Sequence, residues 1–244
     1  MTKFGQPRRH FRVTDSTNQR ARELALAGGP SGTVVTAREQ TAGRGRRGRA
    51  WTAPAGKALL CSAILRPLGP EHALLPLAVP LAVCEAAESL APVRCQVKWP
   101  NDIWIDQRKV AGVLIEAQPP DWAVIGVGLN VAIEPEEFPG ELRQPPTSVG
   151  HGVSVEDALA ALAERLGAWV DADRERVLVE FSGRDALRGR RIAWEGGSQE
   201  SGAGVADGID ERGNLTVVTG DGARHSLGAG EVRLMPPGRV ERSG

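Results

Sequence analysis

Two short stretches hold residue types suited to handling negatively charged groups. One is GRGRRG at residues 43–48, continued by Arg49 and Trp51. The other is KWPNDIWIDQRK at 98–109, with Lys98 and Lys109 at its ends and Asn101 and Asp102 between them. Lysine is scarce: only Lys3, Lys57, Lys98 and Lys109 occur among 30 basic residues, so the chain uses arginine wherever any cation serves. An ammonium is a compact point charge and a guanidinium a planar fork. A lysine retained in such a chain marks a task the fork cannot fill, with chance clustering of a rare residue as the plain alternative.

The GRGRRG run matches the dinucleotide fingerprint GxGxxG literally, but its context does not fit. That site turns from a strand straight into a helix and carries an acid about 20 residues on. Here RAWTAPAGKALL follows with no helical period, and the next acid is Glu71. A nucleic-acid patch is a second reading, opposed by a net charge of zero and by the lack of an aromatic ladder. A third is a glycine-jointed loop folding over a polyanion, with Arg44, Arg46, Arg47 and Arg49 neutralising it. Guanidinium forks match carboxylate and phosphate geometry, and Trp51 supplies an aromatic face or a packing anchor.

Composition bounds the class. The chain has 244 residues, 41% hydrophobic and 25% charged, enough for a buried core in a large domain or a large one plus a small one. Cys61, Cys84 and Cys95 form no CxxC pair and fit a reducing, cytoplasmic setting. The N-terminus lacks the apolar core of a signal peptide. The most apolar stretch, 73–91, is interrupted by Pro76, Pro80, Glu85 and Glu88, which argues against a membrane span. His10, His72, His151 and His225 have no metal-ligand spacing, so no protein-held metal and no His-based triad is expected.

These residues need elements to position them. Periodicity predicts a helix over 17–27, with Ser16 and Gln19 in capping-box form, and a strand at TVVTA (33–37). A second apolar run spans Ala58–Leu65, and a helical region disturbed by its prolines spans 71–91. From 96 to 131 the pattern becomes QVKW, DIWID, KVAGVLIEA and WAVIGVGLNV, with turns at Pro100-Asn101, Asp106-Gln107 and 119–121. That reads as an antiparallel meander. A Pro-rich connection (135–146) leads to a long amphipathic helix near Ser154. Glycine then thickens among RRIAW, GVADGI, NLTVVT and EVRLM, which suggests a small barrel. The expected domains are 1–187 and 188–244.

Taken together, the motifs resemble the biotin–protein ligases. DSTN (15–18) is similar to that family's first biotin-pocket segment and QTAGRGRRGRAW (40–51) to its ligand-ordered loop. KWPND (98–102) resembles its signature hairpin, KVAGVLIE (109–116) its KxxGxLxE strand, and GVGLNV (126–131) its GxGxN segment. The resemblance implies an α+β fold: a mixed, largely antiparallel sheet with packed helices, then a small SH3-like barrel. The short lead before DSTN resembles the ligase-only type lacking the N-terminal DNA-binding domain.

The resemblance also implies the chemistry. ATP, with its Mg²⁺, activates biotin to biotinyl-5′-AMP, and a lysine of a biotin carboxyl carrier protein then takes the acyl group. No nucleic acid or membrane is implied as a partner, and a homodimer is left open. On this reading Lys109, Arg46 and Asp102 are catalytic. Ser16, Thr17, Asn18, Gln40, Arg44, Gly45, Arg46, Lys109 and Gly112 bind biotin. Arg46, Arg49, Trp51, Lys98, Asn101 and Asn130 meet ATP or the adenylate. Alternatives stay open: a lipoate or octanoate ligase or transferase of the same fold, or a non-enzymatic biotin- or nucleic-acid-binding module.

Overall fold

The computed structural model describes residues 2–140, 142, 144–195 and 201–235. Its larger part is a seven-stranded sheet of β1 (Arg8–Thr14), β2 (Val34–Gln40), β3 (Ala58–Leu65), β4 (Cys95–Lys98), β5 (Asp102–Ile105), β6 (Arg108–Gln118) and β7 (Trp122–Asn130). The order is β1-β2-β3-β7-β6-β5-β4. Only β1 and β2 run parallel, so the sheet is mixed but largely antiparallel. The meander over β4 to β7 is present. Its β5–β6 hairpin turns through Asp106 (φ 49°) and Gln107 (φ 61°), the left-handed pair a two-residue turn demands. Strand β1 has no counterpart in the sequence reading, because RRHFRVT lacks the apolar alternation of a strand.

Helix α1 (Thr17–Leu26) covers one face of the sheet. Ala21 and Ala25 pack there with Val35, Ile64, Trp122 and Val124. On the opposite face lie α2 (Leu75–Leu90), α3 (Val155–Val170) and α4 (Arg174–Arg184). Strands β3 and β7 send Leu59, Ala63, Ile125 and Leu129 into that larger core. The region 70–90 is long and apolar enough to cross a membrane, yet its side chains are mostly buried against protein. Pro76 enters in the first turn of α2, whereas Pro80 lies inside the helix. The single helix expected after Ser154 is two: Ser154 caps α3 by accepting from Asp157 N, and Asp173 caps α4 by accepting from Arg176 N.

The capping box expected at α1 is not formed. Ser16 holds the N-cap position but makes no side-chain cap bond, and Gln19 pairs with Glu23 at 3.2 Å. The helix start is fixed instead by Thr17, whose N–H and hydroxyl both reach Gln40 Oε1, at 2.6 and 3.0 Å. Buried Asn18 donates to Glu116 Oε2 at 3.0 Å and accepts from the Ser62 hydroxyl at 2.6 Å. These long-range bonds tie the helix start to β2, β3 and β6.

The C-terminal part is a five-stranded antiparallel sheet of β8 (Arg191–Glu195), β9 (Gly202–Ile209), β10 (Leu215–Val218), β11 (Arg224–Leu227) and β12 (Glu231–Leu234), ordered β11-β10-β9-β8-β12. Among the described residues no ladder joins β11 to β12, so the expected barrel is an open sheet here. It meets the larger part at Trp99, whose Nε1 donates to Gly213 O at 3.1 Å.

Gly126 shows how tightly α1 is seated. A Cβ there would overlap Asn18 Oδ1, well inside van der Waals contact. Gly126→Ala is therefore expected to cost about 1–3 kcal/mol. Urea unfolding measures it, and an unchanged midpoint would mean that Asn18 shifts freely.

Candidate active site

Strand register builds one row of side chains across five strands. Lys98 pairs Asp102, Asp102 pairs Gly112, Gly112 pairs Gly128, and Gly128 pairs Leu60. All face the side that α1 covers further along. Trp122 and Val124 fill that face at the start of β7, and then Gly126 and Gly128 leave the sheet bare. The result is a cleft with a backbone floor, α1 at one side and charged groups at the other.

A register shift between Ile103 and Trp104 turns Lys109 into this cleft. Ile103 pairs Ala111 while Trp104 pairs Lys109, so Val110 is the extra residue of a bulge. Lys109 then shares the face of Asp102 and Gly112, and its Nζ lies 2.6 Å from Asp102 Oδ1. Lys98 is 6% exposed, with its Nζ 5.5 Å from the centre of the Trp104 ring. Burial pushes its ammonium below the usual lysine range, and neighbouring Lys109 adds to this, while Asp102 and Glu231 oppose it.

The arginine loop folds back as a tight hairpin. Arg44 bridges Ala50, Gly45 N donates to Arg49 O at 2.7 Å, and Trp51 N donates to Gly43 O at 2.9 Å. This lays Trp51 on the glycine floor, beneath Lys109 Nζ at 5.5 Å. The Trp51 N–H is buried without a partner among the described residues. Arg46 reaches over Asn101, with Nη1 3.5 Å from Asn101 Oδ1. Its guanidinium is pushed below the usual arginine range, chiefly by burial and next by Arg47. Arg49 forms an ion pair with Glu231 of β12, and Arg47 donates to Glu195 O at 3.3 Å, so the C-terminal sheet holds the loop from outside.

The fold thus brings together Ser16, Thr17, Asn18, Gln40, Arg44, Gly45, Arg46, Arg49, Trp51, Lys98, Asn101, Asp102, Lys109 and Gly112, all lining one cleft. Asn130 is outside it. Its Nδ2 donates to Thr147 O at 2.9 Å and secures the segment beside β6. Sequence reasoning missed Glu231 and its neighbours, which no local signal connects to a loop some 180 residues earlier. It also passed over Gly126 and Gly128 as floor residues, although their spacing of two in a strand was a usable sign.

The chemistry available is electrostatic. Three cations (Lys98, Arg46, Lys109) surround one carboxylate beside a bare, apolar-walled slot. Among the described residues no cluster of three metal-ligating side chains occurs. Of the three cysteines only Cys61 borders the cleft; it packs in the core, where burial pushes its thiol up to about 12, far from a reactive thiolate.

Comparison with known proteins agrees with this geometry. Residues 10–130 match the model of the biotin/lipoate A/B protein ligase family, and residues 189–235 that of the biotin protein ligase C-terminal domain. The biotin–[acetyl-CoA-carboxylase] ligase of Paracoccus denitrificans is 38% identical over 240 residues, covering 90% of this chain and 97% of that protein. The bifunctional ligase/repressor BirA of Bacillus subtilis is 40% identical over 152 residues, 60% of this chain; the match spans about half of that longer relative, 47%. The solved biotin protein ligase from Aquifex aeolicus in complex with biotin and ATP superposes with a TM-score of 0.82 at 26% identity, covering 96% of this chain and 100% of that one.

The floor is directly testable. A Cβ on Gly128 would lie 2.7 Å from Trp51 Nε1, so Gly128→Ala is expected to lift the indole from the sheet. Tryptophan emission should shift to longer wavelength, and the shift should vanish when the substitution is repeated in a Trp51→Phe background. An unaltered spectrum would show that the indole is not seated on this glycine.

Proposed function

The chain belongs to the biotin protein ligase family, and from that premise we propose that it joins biotin to a carrier protein in two steps. In the first, a biotin carboxylate oxygen attacks the α-phosphorus of Mg²⁺-bound ATP, the bond to the β-phosphate oxygen breaks, and pyrophosphate leaves. In the second, the amine of a carrier lysine attacks the acyl carbon of biotinyl-5′-AMP, AMP leaves, and the amine gives up its proton. The carrier is a biotin carboxyl carrier domain of a carboxylase, and the three unpaired cysteines suit a cytoplasmic setting.

The observation that carries this reading is the row Lys98–Asp102–Gly112–Gly128 with Lys109 and Arg46 poised over it. An anion attacking a polyanion must first be neutralised, and preorganised cations are the main source of rate in such transfers. Lys109 bridges the biotin carboxylate and the α-phosphate. On arrival the carboxylate competes with Asp102 for the Lys109 ammonium, which frees an Asp102 oxygen to orient the acceptor lysine and take its proton. Lys98 and Arg49 meet the phosphates. Arg46 and Trp51 cover the adenylate, and Ser16, Thr17 and Gln40 supply the few polar contacts for the ureido head in an otherwise apolar slot.

A same-fold transferase that carries its acyl group on the protein would need an activated nucleophile, and the state of Cys61 does not favour one at this cleft. A lipoate or octanoate ligase differs in the acid it accepts. ATP–pyrophosphate exchange with biotin, lipoate and octanoate offered in turn decides between them. Exchange with biotin alone supports the proposal, and exchange with none overturns it.

Two substitutions probe the roles. Lys109→Ala is expected to slow adenylation roughly 10²–10³-fold, the cost of losing one preorganised charge; near-normal exchange would remove Lys109 from the mechanism. Arg46→Gly is expected to loosen closure, so that the adenylate escapes and acylates stray amines. Mass spectrometry of mixed proteins incubated with the variant should find biotin on non-target lysines, and no rise over wild type would contradict closure by Arg46.

A further inference from the structure

Lys98 and Asp102 are cross-strand partners at the buried rim of the cleft, where a direct ion pair would leave neither free for a substrate. A third side chain stands between them. Gln144 belongs to the segment 144–147, which runs beside the start of β6. Lys109 N donates to Pro145 O at 2.8 Å, Thr147 N to Lys109 O at 2.9 Å, and Arg108 Nε to Pro146 O at 3.0 Å. This backbone ladder carries the amide to the charged row. With its oxygen toward Lys98 Nζ, the amide accepts from the ammonium and its NH₂ donates to Asp102 Oδ2 at 3.2 Å. The reverse orientation sets NH₂ against an ammonium and oxygen against a carboxylate, for a single 3.3 Å bond from Trp104 Nε1. Two charge-assisted bonds outweigh one long neutral bond.

We propose that Gln144 is a positioning residue: a neutral amide that holds Lys98 and one oxygen of Asp102 apart, so that Lys98 stays protonated and available to phosphate while the other oxygen of Asp102 rests on Lys109 until a substrate carboxylate displaces it. The roles given to Lys98 and Asp102 rest on the ligase reading, whereas the separation of the two charges does not. A glutamine suits the position because it can donate at one end and accept at the other without adding charge. A glutamate would bind Lys98 but repel Asp102, and a methionine of similar length would do neither.

Among the described residues the groups facing Lys98 are Asp102 on β5, Lys109 on β6, Arg49 of the loop, Glu231 of β12 and the Trp104 ring. Against that background, loss of the Gln144 oxygen removes a bond that favours the ammonium, so Lys98 should lose its proton at lower pH in Gln144→Met. Gln144→Glu adds a negative charge beside it and should move the titration to higher pH. Opposite shifts of about one unit each are expected. General loosening of the segment would not produce them.

The chain has so few lysines that the experiment is simple: ¹³Cε-lysine labelling of the intact protein gives four signals, and Lys98→Arg identifies one. Titration midpoints for wild type, Gln144→Met and Gln144→Glu are then compared, with thermal unfolding as the control for folding. In exchange assays Gln144→Met should also raise the KM for ATP roughly tenfold, as expected for one lost bond to a charged group, and Gln144→Glu, which pairs Lys98 directly and sets a negative charge beside the phosphates, should raise it more. Equal midpoints in all three proteins, or shifts of the same sign in both variants, would overturn the proposal. If wild type exchanges pyrophosphate with no acid, the ligase reading fails while the titration still decides where Gln144 acts.

Discussion

Lys98, Arg46 and Lys109 crowd around Asp102, with Glu231 the other carboxylate lining the cleft among the described residues, and that excess of positive charge organises it. Cations held close together in a partly desolvated space repel one another, and burial makes each charge costlier. The fold sustains the arrangement because every cation is delivered by a different rigid device. Lys98 ends a core strand, Lys109 is turned by a bulge, and Arg46 rides on a cross-braced hairpin. An arriving anion relieves the repulsion, so crowding of like charges favours anion binding at this place.

The floor answers a different requirement. Charge alone would attract any polyanion, but Gly112, Gly126 and Gly128 let flat groups lie directly against the sheet. Trp51 already does so, with its N–H unpaired among the described residues. Each missing Cβ is thus explained by a specific neighbour: the Trp51 indole above Gly112 and Gly128, and the Asn18 amide above Gly126. Polar contacts that fix α1 surround this bare patch, which makes the slot narrow and its depth defined.

The C-terminal sheet takes part by closing the loop from outside. Arg49 meets Glu231 and Arg47 meets the Glu195 carbonyl, while the signature hairpin is clasped through Trp99 and Gly213. Arg47 and Arg49 are therefore held by residues some 150 to 180 positions later in the chain, and a change in the C-terminal sheet acts on the loop from outside the cleft.

Local patterning determined much of this protein. The apolar run Ala58–Leu65, the meander from β4 to β7 and the helix start near Ser154 follow from periodicity and turn chemistry, which depend only on neighbours in the chain. The scarcity of lysine singled out Lys98 and Lys109, and the motif order pointed to the ligase fold. Other features rest on relations between distant segments. Strand β1 is held by pairing with β2 rather than by its own polar sequence, and Asn130 is tied by its amide N–H to the carbonyl of Thr147, a partner 17 residues on. Glu231 and Gln144 reach the charged row only because sheet register and a backbone ladder bring them there. Sequence can nominate the groups that do chemistry, since type and spacing are local. Which charge faces which, and at what distance, is set by how separate strands align, and only the tertiary structure decides that.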